Sequence, residues 1–279
     1  MPELDEVSDQ RLDAALATRG IARSRTHAAE LIVSGRVRVN GHPVIKAAHR
    51  VRDADDIAVE RLDHYVSRAA HKLIAALDAF DIDVTGRRAL DVGASTGGFT
   101  QVLLERQVGS VIALDVGHNQ LSPSIRSDER VRVLEGVNAR YLTRENLAGL
   151  LRRPEVPDED APNLVVADLS FISLTHVIPA LRATATTDAD FVLLIKPQFE
   201  VGRQGVKEGI VTNAGKREDA INAVLWCAFD AGLRTAGILS SPILGGAGNR
   251  EYLVWFSASV GSNPTQWRDH VHKLAGGTT

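Results

Sequence analysis

The chain has 279 residues, 44% of them hydrophobic and 24% charged, with a formal net charge of −3, so any grip on a polyanion must be local and not spread over the whole surface. No apolar run approaches the ~20 residues of a membrane span, and the acidic opening MPELDEVSDQ is unlike a secretory signal. A single cysteine, Cys227, excludes an internal disulfide and suits a reducing compartment, so a cytoplasmic protein is expected.

Residues 1–10 read as a frayed leader. Leu12, Ala15 and Leu16 then predict a first helix stopped at Gly20, and Ser24 caps a second helix from Arg25 to Ser34 with Ala28, Ala29, Leu31 and Ile32 on one face. Val37 and Val39, the turn Asn40–Gly41, then Val44 and Ile45 predict a hairpin. Ile57–Val59 adds one more strand. Between Arg19 and Arg52 lie eight basic residues (19, 23, 25, 36, 38, 46, 50 and 52) against the single acid Glu30. Arg23 and Arg25 flank the helix start, where guanidinium groups and free N–H groups can hold one phosphate. This small module, residues 11–60, is therefore expected to contact RNA or DNA. Its run RLDAALATRGIARSRTHAAELIVSGRVRVNG resembles the small RNA-binding domain named after a ribosomal small-subunit protein, which implies structured RNA without naming a reaction.

Residues 61–66 form a short connection, and a helix is predicted over 67–80, carrying Arg68, His71 and Lys72. From there strand and helix patterns alternate. Strands are expected at 88–93, 110–115, 131–135, 163–168, 190–196, 234–239 and 251–257, and helices at 98–106, 120–126, 143–151, 174–183 and 215–231. VIALD, LVVAD and FVLLIK are continuously apolar, as strands covered on both faces should be. The fold class that follows is α/β: a doubly wound, mostly parallel seven-stranded sheet over 67–259, with the small α+β module in front and a loose tail at 260–279.

The first turn of that sheet is ALDVGASTGGFT, residues 89–100, a strand running into a glycine-rich loop and a helix start. Such a turn presents backbone N–H groups and a helix dipole to a ligand. About 20 residues on, Asp115 ends the next strand, where an acid holds ribose hydroxyls. The spacing is not that of a dinucleotide site, and Asp91 sits two residues before Gly93, where it would repel a pyrophosphate. A cationic donor such as S-adenosylmethionine tolerates that acid, so a methyltransferase is favoured over a dehydrogenase.

Ligands of such sheets bind beyond the carboxyl ends of the strands. Four charged residues fall there or beside it: Asp168, Lys196 and Glu251 at strand ends, and Lys72 on the helix before the first strand. A lysine closing a run as apolar as Phe191–Ile195 needs a carboxylate partner, and Asp168 on the expected neighbouring strand is the natural one. Nine histidines show no metal-ligand spacing, and no structural metal is expected.

The set resembles the Lys-Asp-Lys-Glu tetrad of 2′-O-ribose methyltransferases of the FtsJ type. With YVSRAAHKL, ADLSFISL, IKPQFE and GNREYLVWF, and with the RNA-binding module in front, the chain resembles the TlyA family over about residues 11 to 257. That resemblance implies methylation of cytidine 2′-hydroxyls in ribosomal RNA, with ribosomal RNA or ribosomal subunits as partners. It implies Lys72, Asp168, Lys196 and Glu251 as the catalytic set. Gly93, Ser95, Thr96, Gly97, Asp115, Asn138 and Asp168 would line the S-adenosylmethionine site, with Arg23, Arg25, Lys46 and Arg68 on RNA. Ala69 departs from the usual glycine of the family's SRGAHK run. Lys196 either takes the hydroxyl proton or stabilises the developing alkoxide, and the sequence leaves both open. Two rival readings are a base-amine methyltransferase and a non-catalytic RNA-binding or assembly protein. A monomer is expected.

Overall fold

The computed structural model describes residues 9–22, 24–59, 64–152, 160–202, 205–206 and 208–277, and the chain divides into two units, residues 1–64 and 65–279.

In the first unit, β1 (Asp9–Arg11) leads into α1 (Leu12–Thr18) and α2 (Arg25–Val33). Then come β2 (Val37–Val39), β3 (His42–Val44), β4 (Arg50–Arg52) and β5 (Ile57–Val59). The order β3-β2-β5 makes one small antiparallel sheet, and β1 pairs with β4. Asp9 and Gln10, expected in a frayed leader, are thus held in a strand by Arg52 and Val51. The hairpin turn is the one predicted: Asn40 and Gly41 both take positive φ, 51° and 78°, which matches the twist of the strands. Leu12, Leu16, Ile32, Val37 and Val51 are fully buried and form the unit's core.

The second unit begins with α3 (Ala70–Phe80), β6 (Arg88–Val92), α4 (Gly98–Glu105), β7 (Ser110–Asp115), α5 (Pro123–Arg126) and β8 (Val131–Glu135). It continues through α6 (Arg144–Leu150), β9 (Leu164–Ala167), α7 (Ile178–Thr184), β10 (Asp190–Ile195), α8 (Pro197–Glu200) and α9 (Ala214–Asp230). It closes with β11 (Arg234–Ser240), β12 (Tyr252–Ser257) and α10 (Arg268–Ala275). The sheet runs β11-β12-β10-β9-β6-β7-β8 and is parallel except for β12, which is antiparallel to both neighbours. Strand order reverses between β6 and β9, the switch point where doubly wound sheets open a crevice.

Alternation along the strands builds a core on each face. Leu90, Val92, Leu193 and Ile195 pack under α7 and α9 on one side. Ala89, Val166, Val192, Leu194 and Leu253 pack under α3 and α4 on the other. The same alternation carries past the strand ends: Asp168 lies two residues beyond Val166, Lys196 two beyond Leu194, and Glu251 two before Leu253. All three therefore project toward the α3 face, and α3 carries Lys72.

Several helix bounds contract. The first turn predicted at 67–69 is a tight i→i+3 turn, with the amides of Ala70, His71 and Lys72 bonding back to Ser67, Arg68 and Ala69. The helix expected at 120–126 shortens to α5 because Pro123 starts it. That at 174–183 is a 3₁₀ turn, Leu174–His176, followed by α7.

The loose tail expected at 260–279 is corrected by the structure. A 3₁₀ turn (Pro264–Trp267) runs into α10, where Val271 and Ala275 are fully buried against the α9 side of the core. The buried Arg217 of α9 fastens it, donating from Nε (3.0 Å) and Nη2 (2.7 Å) to Ala275 O and from Nη1 to Val211 O (3.0 Å) and Thr212 O (2.7 Å). A cation near the last carbonyls of a helix also suits its dipole. Sequence periodicity missed this helix because only Val271, Leu274 and Ala275 are apolar in an otherwise polar segment. Arg217→Met strands those carbonyls, and urea unfolding of the variant is expected to show a loss of about 3 kcal/mol.

Candidate active site

The turn after β6 sits at the switch point. Gly93 takes φ 80°, and a Cβ there would lie 2.9 Å from Asp168 O, so only glycine lets the β6 and β9 ends approach this closely. The Asp168 amide bonds to Val92 O at 3.2 Å and locks the two ends together. Across the turn, Asp115 accepts the amides of Ser95 (2.8 Å) and Gly117 (2.7 Å). Ser95 is bent into the left-handed region, φ 49°. Asn138 caps the 3₁₀ turn Ala139–Tyr141, its Oδ1 accepting from the Arg140 amide at 3.0 Å.

These residues enclose a cleft of ≈ 1180 Å³ to which Gly93, Ser95, Asp115, Asn138, Asp168 and Ser170 all contribute. A smaller pocket of ≈ 160 Å³ lies beside it, lined by Ser95, Thr96, Asp168, Ser170 and Lys196 among others. Of the residues expected to line a cofactor site, Gly97 alone faces neither. It adopts φ 99° as the residue before α4, and a Cβ on it would meet Leu121 and Ile125, so its role is packing.

Beneath the turn, Asp91 is completely buried, and burial pushes its carboxyl up to about 7. Thr100 Oγ1 donates to Oδ2 at 2.6 Å, while Oδ1 has no hydrogen-bond partner. Asp91 lines neither pocket, but an acid beneath this turn disfavours a pyrophosphate and tolerates a ligand that carries positive charge.

The four charged residues do come together. Lys72 Nζ lies 2.7 Å from Glu251 Oε2 and 3.6 Å from Asp168 Oδ2, and Lys196 Nζ lies 2.6 Å from Asp168 Oδ1. The lysines are 7% and 8% exposed and Glu251 is 3% exposed. Charges this deep persist only when paired, because removing one partner of such a pair costs about 3–5 kcal/mol. Lys72 stands in the first turn of α3, where the helix dipole opposes a cation, so two carboxylates on it are the compensation.

Several contributors were not singled out from sequence. Ser170 Oγ accepts from Lys196 Nζ at 2.8 Å, and its signal was its place within ADLSFISL. Phe171 is 92% exposed with φ 67°, and its ring stands 5.3 Å from that of Phe199. Gly245 closes over Glu251: a Cβ there would overlap Glu251 Oε1. Asn249, two residues before Glu251, is buried and holds Gly209 O (2.7 Å) and the Val211 amide (3.0 Å).

Among the basic residues expected on RNA, Arg23 lies outside the described residues. Arg25 is exposed but reaches Asp13 Oδ2 at 3.3 Å, and one free amide in the first turn of α2 is taken by Ser24, whose Oγ accepts from His27 N at 3.1 Å. The shared phosphate grip is therefore partly occupied from within. Asp13 is held down to about 2, first by its hydrogen bonds from Arg11 and then with help from Arg25. Lys46 and Arg68 are exposed. Arg19 instead braces the fold, donating to Asp55 O (2.9 Å) and Arg52 O (2.8 Å).

The doubly wound sheet is that of a methyltransferase of the FtsJ type: residues 65–258 match the FtsJ-like methyltransferase family, and residues 10–57 match the S4 domain. The chain belongs to the TlyA family of ribosomal RNA methyltransferases. It is 50% identical, over 88% of both chains, to the 16S/23S rRNA (cytidine-2′-O)-methyltransferase TlyA of Mycobacterium tuberculosis. It is 40% identical to Hemolysin A of Brachyspira hyodysenteriae, over 88% of this chain and 99% of that protein. A solved structure provisionally designated a hemolysin, from Streptococcus thermophilus, superposes with a TM-score of 0.72 at 32% identity, covering 96% of this chain and 95% of the other.

The raised carboxyl of Asp91 has a stability signature. The folded state holds its proton to higher pH than the unfolded chain, so the stability it contributes is full below about pH 4 and is lost as pH rises to about 7. The loss is on the order of 4 kcal/mol. Urea unfolding from pH 4 to 8 should show Asp91→Asn gaining on the wild type through that window and holding a constant advantage above it.

Proposed function

We propose that this chain transfers a methyl group from S-adenosylmethionine to the ribose 2′-hydroxyl of a cytidine in ribosomal RNA, in the cytoplasm. The observation that carries the reading is the chain of contacts Glu251–Lys72–Asp168–Lys196–Ser170, placed beside the glycine turn at the switch point. The names of the relatives and the S4 module support ribosomal RNA as the substrate.

Gly93, Ser95, Thr96, Asp115, Asn138 and Asp168 would hold the donor. When bound, the donor supplies an electrophilic methyl group on sulfur. Asp168 stands 2.6 Å from the Lys196 ammonium as its counter-ion, and Ser170 accepts one of its N–H groups. A further N–H is left for the sugar oxygen, where it stabilises the negative charge that grows as the hydroxyl proton passes to solvent. Lys72, held between Glu251 and Asp168, keeps the Asp168 carboxylate aimed at Lys196. Phe171 offers an exposed face on which an unstacked base can rest, since a ribose inside a helix would not reach the pocket. Alignment of hydroxyl and methyl within this frame is the larger part of the rate enhancement. Arg25, Lys46 and Arg68 supply exposed positive charge for the RNA backbone. A base-amine target would not call for two buried lysines. Among the described residues no helix is long and apolar enough to cross a membrane, so the hemolysin names among the relatives receive no support from a spanning segment.

The test is to incubate the protein with ribosomal subunits and labelled donor, then digest with alkali. A cytidine whose 3′ phosphodiester resists cleavage is the expected product, whereas base methylation would leave every step cleavable. Lys196→Ala should abolish incorporation while calorimetry still shows donor binding; appreciable turnover in that variant would remove its assigned role.

A further inference from the structure

Lys196 immediately precedes α8, and Glu200 ends that single helical turn. The two residues reach across to the same neighbouring segment, on opposite sides of Phe171. Before Phe171, Ser170 Oγ accepts from Lys196 Nζ at 2.8 Å. After it, Glu200 accepts the Leu174 amide on Oε1 at 2.9 Å and the Ser173 hydroxyl on Oε2. Phe171 itself occupies the left-handed region at φ 67°, a conformation that a bulky residue keeps only when its surroundings impose it. The Phe199 ring, 5.3 Å away, contributes a third tie from the same turn.

We propose that Glu200 is a positioning residue of the methyl-transfer site: its carboxylate fixes the far side of the strained Phe171 turn to the segment that carries Lys196, so that Asp168, Ser170 and Lys196 keep their alignment. The inference rests on the ribose-methylation reading above. Both carboxylate oxygens of Glu200 are committed to Ser173 and Leu174, and among the described residues no cation lies within ion-pairing distance. Burial accordingly pushes its carboxyl up. A partly buried carboxylate without a cation is costly, and both its oxygens are taken up by the two sides of the turn beyond Phe171, as a clamp requires. From α9, Cys227 faces the same region, its thiol pushed up first by burial and then by the charges of Asp230 and Glu200, while its Sγ points to Thr175 O at 3.5 Å. Ser173 Oγ also lies 2.6 Å from Thr175 Oγ1, so the 3₁₀ turn is tied internally as well as to Glu200.

The test compares Glu200→Ala and Glu200→Gln with the wild type, all as full chains. Three measurements are read: single-turnover methylation of ribosomal subunits, donor affinity by calorimetry, and hydrogen exchange at the Leu174 amide. Glu200→Ala should lower the methylation rate about 10²-fold, the scale of an ångström-level misplacement, with donor affinity unchanged and Leu174 protection lost. Glu200→Gln keeps an acceptor for that amide and should recover most of the rate and the protection. An unchanged rate in Glu200→Ala overturns the proposal, and so does a parallel loss of donor affinity and of protection throughout the sheet, which would mark a general structural defect. If the wild type yields no alkali-resistant cytidine step, the ribose reading fails and takes the methylation role of Glu200 with it. If the wild type does yield one and Glu200→Ala yields it equally fast, only the present inference fails.

Discussion

Two ammonium groups sit almost out of solvent at the rim of a parallel sheet, and this arrangement can exist only because two carboxylates reach them. Glu251 and Asp168 divide Lys72 between them, and Asp168 also meets Lys196. Each carboxylate comes from a different strand end and one lysine from a covering helix, so the pairing ties β9, β10, β12 and α3 at a single point. A buried ion chain of this kind is a weak device for stability, since apolar residues of similar volume would serve as well or better. Its place at the ligand-binding edge of the sheet suits the chemistry on a poor nucleophile that we propose. A ribose hydroxyl does not attack a methyl group unless the charge that develops on its oxygen is met by a fixed donor.

The donor side of the cleft obeys a different constraint, that of close approach. Gly93 is required because the carbonyl of Asp168 occupies the space a side chain would take, and the amides of Ser95 and Gly117 are turned inward onto Asp115. Below them Asp91 is sealed from water with one oxygen unpartnered. The two halves of the site therefore differ in electrostatic character. One is a neutralised chain of lysines and carboxylates, and the other is a glycine turn over a buried acid, which tolerates a ligand that brings its own positive charge.

In the N-terminal unit, local interactions account for part of the basic excess. Arg19 braces two carbonyls, Arg25 leans on Asp13, Arg38 donates to Gly41 O and Arg50 to Asp9 O. A count of charges along the chain thus overstates the number available to a phosphate backbone.

Strand positions in the large sheet, the doubly wound class and the identity of the charged residues could be read from the amino-acid sequence because they depend on local order: the apolar run of a covered strand, glycine where the chain must turn tightly, and a lysine too close to a core to stand alone. The pairing of Lys196 with Asp168 was legible for the same reason, since neighbouring strands and buried charge leave few alternatives. Tertiary structure decided the rest. Lys72 chooses Glu251 across 179 residues, Gly97 turns to Leu121 and Ile125 and away from the cleft, and a polar C-terminal segment becomes a docked helix because Arg217 waits for its last carbonyls. Nothing in the local pattern distinguishes Glu200 from any other acid after a phenylalanine. Its contact with Ser173 and Leu174 arises only when β9 and β10 lie side by side and bring their following turns together. Periodicity and residue type govern what a segment becomes; which side chains meet is governed by the order of strands in the sheet, a property of long-range packing that no short window of sequence contains.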